Sequence, residues 1–212
     1  MAILHKAQLV PSKLDLLKAW LPSRAWFDGE AAGDSGAGIE RVAAFRFDDP
    51  AGRVGVETVL VTQGRDVYHV PLTYRGAPLA GAEAHLVGTC EHSVLGKRWI
   101  YDAAADPVYA TALAHAVLTG GTNADEIFAE DRRSRTPDCR AKGTGTASQA
   151  PAVNTRPSVK DGDPTVITSG GLTLTIVRVV DTAGVVPAWA EGRERLEAET
   201  GAHRFTLATA YI

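Results

Sequence analysis

Three β-prone runs, Arg41–Phe47, Val54–Val61 and Val67–Tyr74, follow one another with only the turn segments 48–53 and 62–66 between them. Asp49-Pro50-Ala51-Gly52 and Gln63-Gly64-Arg65-Asp66 supply the turn chemistry: Pro presets φ, Gly accepts a left-handed backbone, and Asp bonds back to its own chain. A parallel crossover needs a dozen residues or more, so gaps this short dictate an antiparallel meander. In the third run Tyr68, Val70, Leu72 and Tyr74 alternate with His69, Pro71 and Thr73, which predicts one packed face and one partly polar face. Pro71 lacks an N–H, so this run is expected at a sheet edge or bulge, where it would offer a docking edge to another chain. Further strands are predicted at Ala84–Glu91 and Arg98–Tyr101.

Two helices flank this block. Ser12-Lys13-Leu14-Asp15 reads as a capping box, and Leu14, Leu17 and Leu21, with Leu16 and Trp20 beside them, form an apolar stripe at helical spacing that Pro22 ends. Asp106-Pro107 places an N-cap before a proline at the first helical position. Tyr109, Ala112, Leu113, Ala116 and Val117 then make one face ahead of Gly120-Gly121. Beyond it, short helices are expected near 123–131 and 192–200, and strands at Leu172–Val180 and Phe205–Ile212. These boundaries divide the chain into an α+β region over 1–131, a loop-rich segment over 132–164 with a short strand at Cys139–Lys142, and C-terminal strands over 165–212 completing the same domain.

The 212 residues are enough to bury a sizeable core without staples. A net charge of −3 gives no electrostatic reason to expect nucleic acid or an anionic membrane as partner. No apolar run reaches the length of a membrane span. Lys6, Lys13 and Asp15 interrupt any signal-peptide core, and the two cysteines make no disulfide framework, so a reducing cytoplasm is the expected compartment.

Motifs that carry chemistry fall short one by one. Gly33–Gly38 reads GDSGAG, as in a serine-protease nucleophile loop, but only His5 precedes Ser35 and no triad order fits. Gly96-Lys97 is followed by Arg98, and Glu91 stands where a phosphate loop needs its first glycine. Lys142-Gly143-Thr144-Gly145-Thr146 has backbone that could accept an anion but no dinucleotide fingerprint, and reads as a solvated turn. Cys90 and His92 share a strand face with His85 nearby in sequence, fewer ligands than zinc requires, so no metal and no cofactor is assigned. His92, Lys97 and Arg98 beside Tyr101 and Asp102 admit two readings, an anion or carboxylate site or a solvated hairpin with an Arg–Asp pair. Trp20 and Trp99 are expected in the core, Trp26 and Trp189 nearer the surface.

Three segments carry a family resemblance: VPLTYR at Val70–Arg75, EHSVLGKRW at Glu91–Trp99 and YDAAADPVY at Tyr101–Tyr109. With Ala2–Trp20 and FRFDDPAGRVGVETVLV they resemble the maltokinase N-terminal cap domain, in the form found as short stand-alone bacterial proteins. The resemblance implies a cystatin-like unit, a helix against a curved antiparallel sheet, with additional C-terminal strands here. Maltokinases follow the cap with a kinase that uses a His-Gly-Asp loop, and this sequence contains no His-Gly-Asp. The resemblance therefore implies no catalytic residue. It implies a non-catalytic interaction or regulatory protein of maltose, trehalose or α-glucan metabolism, whose partner is a sugar kinase, a glucan-metabolising enzyme or a second copy. The alternative is a small sugar- or sugar-phosphate-binding protein or enzyme. The surface offered to ligand or partner is His69, Thr73, Arg75, His92, Lys97 and Arg98.

Overall fold

The computed structural model describes residues 2–29, 38–201 and 203–212. Sixteen strands and two α-helices fall into three sheets among these residues. The first sheet is antiparallel and curled, in the order β2 (Leu9–Val10), β6 (Leu86–His92), β7 (Gly96–Asp102), β5 (Asp66–Arg75), β4 (Gly55–Gln63), β3 (Glu40–Phe47). The second runs β10 (Arg140–Gly143), β15 (Glu194–Thr200), β16 (His203–Tyr211), β13 (Leu172–Ile176), β12 (Thr165–Ser169), β11 (Ser158–Lys160). A small third sheet joins β1 (Ala2–Leu4) to β8 (Glu126–Phe128) and β9 (Ser134–Arg135). Two-residue β14 (Val179–Val180) adds to the edge of β5. The result is an α+β fold that is mostly sheet.

Helix α1 (Lys13–Trp20) forms where its cap predicts: Ser12 and Asp15 satisfy each other's backbone N–H groups. It packs Leu17 and Trp20 onto the curled sheet, in one core with Trp26, Val59, Val61, Tyr68, Val70, Leu72 and Ile100. Helix α2 (Pro107–Thr119) is different in kind. It is capped by Asp106 and stopped by left-handed Gly120, and its buried residues are spread around the helix, Tyr109, Ala110, Leu113, Ala114, Ala116, Val117 and Leu118. A helix apolar on all sides needs cover on all sides. Phe45, Phe47, Val56 and Leu60 from the first sheet provide it, with Ile167, Leu174, Leu196 and Leu207 from the second.

Several expectations change. The segments near 123–131 and 192–200 are strands, β8 and β15. In β15, Leu196 and Ala198 point inward and Glu197 and Glu199 alternate with them, and pairing between β10 and β16 overrides the helix-forming composition. Strand β5 is an inner strand. It pairs with β4 over Asp66–Tyr74, with β7 over Leu72–Arg75 and with β14 at Val67 and Tyr68, so it is no free docking edge. Pro71 is tolerated because its ring nitrogen falls in the interval between β14 and β7. His69, two residues earlier on the same side, donates its N–H to Arg178 O, and alternation points Pro71 the same way. Trp26, expected near the surface, is buried and donates Nε1–H to Asp161.

The Lys142–Thr146 segment is not a solvated turn. Gly145 N–H donates to Val117 O and Ala147 N–H to Leu118 O, closing the last carbonyls of α2. The approach is close enough that a Cβ on Gly143 would lie 1.8 Å from Ala116 O, and one on Gly145 2.1 Å from Leu118 O. Gly143→Ala must therefore move backbone against backbone, and we expect a loss of about 3 kcal/mol in urea unfolding. Gly38→Ala, where a Cβ meets nothing within 4 Å, should stay close to wild type; equal behaviour of the two variants would contradict this account.

Candidate functional site

The six residues offered from sequence do not converge. His69 and Thr73 are fully buried on the α2 side of β5, because the second sheet and α2 cover the face that sequence alone leaves half-polar. Arg75 is tied to Asp106, Nε to Oδ2 at 2.6 Å and Nη2 to Oδ1 at 2.7 Å, while the same carboxylate caps α2 through Val108 N–H at 2.9 Å. Lys97 lies over the Trp99 ring, 5.1 Å from its centroid. Only His92 and Arg98 share a cleft. Residues 33–37 of the GDSGAG motif, Ser35 among them, lie outside the described residues. Among the described residues, no group of three or more His, Cys, Asp or Glu is arranged to hold a metal ion.

Two polar centres stand out among the described residues. The first is sealed between the sheets. Arg178, wholly buried, donates from Nη2 to Asp102 Oδ2 at 2.7 Å and from Nε to Thr165 Oγ1 at 2.8 Å, and its guanidinium lies 4.8 Å from the Trp26 ring centroid. Asp102 also accepts from Ala104 N–H, turning the chain from β7 into the buried Ala103–Ala105 turn. His69 donates Nδ1–H to Val177 O at 2.9 Å; burial first, and the nearby Arg178 charge second, push its imidazole down to about 3. Burial likewise raises the Tyr109 hydroxyl. Sequence pattern could not reveal this centre, since Arg178, in the link between β13 and β14, and Asp102, at the end of β7, are 76 residues apart.

The second centre is open. A cleft of about 700 Å³ lies on the α1 side of the curled sheet, walled by residues of the N-terminal segment, the β3–β4 turn and the β6–β7 hairpin. Its floor is Glu57, which accepts both bonds of Lys13 Nζ at 2.9 and 2.8 Å, Arg46 Nη2 at 3.1 Å and the Tyr74 hydroxyl at 2.7 Å. Burial alone would push the Glu57 carboxyl up; the Arg46 and Lys13 charges and the Lys13 and Tyr74 bonds outweigh it and bring it down to about 2. Above the floor, His92 Nδ1 accepts the N–H groups of Val94 and Leu95, and His5 meets its ring edge-on at 6.0 Å. Arg98 is held by Leu95 O at 2.6 Å and Lys97 O at 3.4 Å.

The curled sheet falls largely within a stretch that matches a known family. Residues 20–106 match the maltokinase N-terminal cap domain. The match covers less than half of the chain, from the end of α1 to the N-cap of α2, and is narrower than the resemblance drawn from sequence, which extends to both sides. No curated protein matches the chain. Within the cap-matched region the three motif segments have structural duties. VPLTYR ends in the arginine that clamps Asp106, EHSVLGKRW forms the hairpin that carries His92 and Arg98, and YDAAAD ends β7 and delivers Asp102 to Arg178.

Two expectations follow for the cap's junction with the second sheet. Arg178→Ala leaves the Asp102 carboxylate buried without its countercharge and should cost about 3–5 kcal/mol in urea unfolding. Arg178→Met combined with Asp102→Asn should recover part of that loss; a double variant as unstable as the single one would argue against the pair.

Acid should also loosen this region. The folded His69 pKa lies below its unfolded value of 6.5, so its contribution is present above pH 6.5 and lost as pH falls toward about 3. At pH 5 the loss is roughly 2 kcal/mol. Glu57 adds its own loss between 4.5 and about 2. Stability measured against pH should decline from 6.5 in the wild type, and His69→Gln should remove most of the decline between 6.5 and 4.5.

Proposed function

We propose that the chain acts as a non-catalytic cap-type interaction module of maltose, trehalose or α-glucan metabolism, docking in the cytoplasm on a sugar kinase or another glucan-metabolising enzyme. The match of residues 20–106 to the maltokinase N-terminal cap domain carries this reading. Helix α1 against a curled antiparallel sheet supports the cystatin-like description of the unit. Among the described residues no helix is long and apolar enough to cross a membrane.

The chemistry of the reactive side chains supports a non-catalytic role. Burial pushes the Cys90 thiol up and the Cys139 thiol up to about 11, which keeps both protonated and poorly nucleophilic at neutral pH. His69, neutral and sealed, cannot reach a substrate. The sequence has no His-Gly-Asp loop of the kinase type. For docking, the β2–β6–β7 side presents Val10, Val94 and Leu95, exposed at 66%, 56% and 45%, apolar contacts on an edge strand and a hairpin tip.

Sedimentation of the purified chain with the maltose-phosphorylating kinase of the same cell tests the proposal. A stoichiometric complex is expected, weakened at least tenfold by Val10→Asp with Val94→Asp, while the chain alone yields no maltose-dependent ADP from ATP and Mg²⁺. Maltose-dependent ADP release by the chain alone, or an undiminished complex in the variant, would overturn it.

A further inference from the structure

The open cleft is lined by more cations than carboxylates. The chain as a whole is at −3, yet the cleft is lined by six cationic side chains, Lys13, Arg41, Arg46, Arg53, Arg98 and Arg135, against the three carboxylates of Asp48, Asp49 and Glu57. Like-signed walls around a concave surface focus potential on whatever enters.

The cations divide by partner. Lys13 and Arg46 share one carboxylate, Glu57, which leaves the floor with an excess positive charge. Arg41 and Arg135 bond Asp138, outside the cleft, and Arg135 also bonds Glu126. Arg98 differs from all of these. Its guanidinium is fixed by two carbonyl oxygens of its own hairpin rather than by a carboxylate, so it is positioned without being neutralised. It also packs closely on Gly76, where a Cβ would stand 2.8 Å from its Nη1. Arg53 is exposed at the end of the β3–β4 turn. The Asp49 carboxylate beside it accepts the N–H groups of Ala51, Arg53 and Val54, each at 2.9 Å, and also feels the Arg53 charge.

The donor set is completed by His92. Two backbone N–H groups bond its Nδ1, which makes Nδ1 the acceptor and Nε2 the protonated nitrogen of the neutral ring. The cleft thus combines a preset guanidinium, an imidazole N–H and the surplus charge of the floor. That combination suits a small dianion with oxygens facing several ways, since guanidinium forks and N–H donors bond phosphate oxygens most strongly when already oriented. Exposed apolar side chains, Ile3 at 49% and Leu95 at 45%, line the same cleft and give the remainder of a ligand something to rest on. The volume is in the range of small-molecule sites.

We infer that this cleft binds a phosphomonoester of sugar size, with Arg98, His92 and Arg53 taking the phosphate and the Lys13–Arg46–Glu57 floor supplying background positive potential. The site adjoins the docking surface at Leu95, but Arg98, His92 and Arg53 are not part of that surface. It stands or falls on the chain alone, without a kinase present.

Isothermal titration of the full chain with glucose 1-phosphate, glucose 6-phosphate, inorganic phosphate and maltose tests it. One or both sugar phosphates should bind at one site per chain, more tightly than inorganic phosphate, with no heat from neutral maltose. Arg98→Ala should weaken binding about 10- to 100-fold, as loss of a charge-assisted bond does, and Arg98→Lys, which keeps charge but not the fork, should fall between. Arg53→Ala, in a separate turn, should weaken binding several-fold and guards against a merely misfolded hairpin in the Arg98 variants. Lys97→Ala, whose side chain lies on Trp99, should bind as wild type. Inorganic phosphate binding as tightly as the esters would overturn the sugar-sized ligand. Absence of binding by all four probes at millimolar concentration, or affinity unchanged in both Arg98→Ala and Arg53→Ala, would overturn the site.

Discussion

The whole arrangement turns on one buried ion pair. Arg178, in the link between β13 and β14, reaches the carboxylate at the end of β7 and, through Thr165 of β12, ties the curled sheet to the second sheet. A charge in a dry interior is tolerable only when paired and bonded. Thr165 accepts from Nε, the Trp26 ring lies beside the guanidinium, and Asp163 holds the Arg178 backbone N–H. Since those partners come from β12, the loop before it, and the segment after α1, none of these elements can be placed without the others. The pair is thus a device of registry more than of net stability.

Pro71 shows how the sequence makes room for it. Tyr68 is opposite Val179 and Leu72 is opposite Asp102, so one stretch of β5 lies between two different partners. A residue with an N–H there would need an acceptor. Proline removes that demand, and the interval admits Arg178, whose carbonyl takes the His69 N–H beside it. Gly143 and Gly145 play a comparable part at the far end of α2, where missing side chains let a strand segment bond the helix carbonyls directly. In both places an apparent defect in a regular element permits the contact that builds the layer.

What was legible in the sequence is local. The capping box at Ser12, the Asp106-Pro107 start and Gly120 stop of α2, and the meander from Arg41 to Tyr74 all depend on interactions within a few residues, and they stand as read. The errors are those where distant residues decide. A Glu-rich run at 194–200 has helical composition but becomes β15 because β10 and β16 flank it. His69 and Thr73 look like the polar face of a strand until α2 and the second sheet cover them. Of the proposed site, His92 and Arg98 were visible as a basic hairpin. Lys13, Arg46, Arg53 and Glu57 were not, since they reach the cleft from α1, β3, the β3–β4 turn and β4, which sequence spacing cannot superpose.

The same nonlocality bears on what a cap-type sheet is. Over residues 20–106, one face of the sheet finds its cover in α1 and the segment up to Phe27, partly inside the matched region. The other face, with Phe45, Phe47, Val56 and Leu60, is covered by α2 and by β12, β13, β15 and β16, all beyond Asp106. Asp102, inside the matched region, is neutralised by Arg178, outside it. A sheet built this way exposes apolar surface and an unpaired carboxylate unless a second layer arrives, and here the same chain supplies that layer. The family match therefore marks half of a two-layer core, and the other half is what commits the buried face to structure, leaving the α1 side, with its cationic cleft, as the side that can meet a ligand.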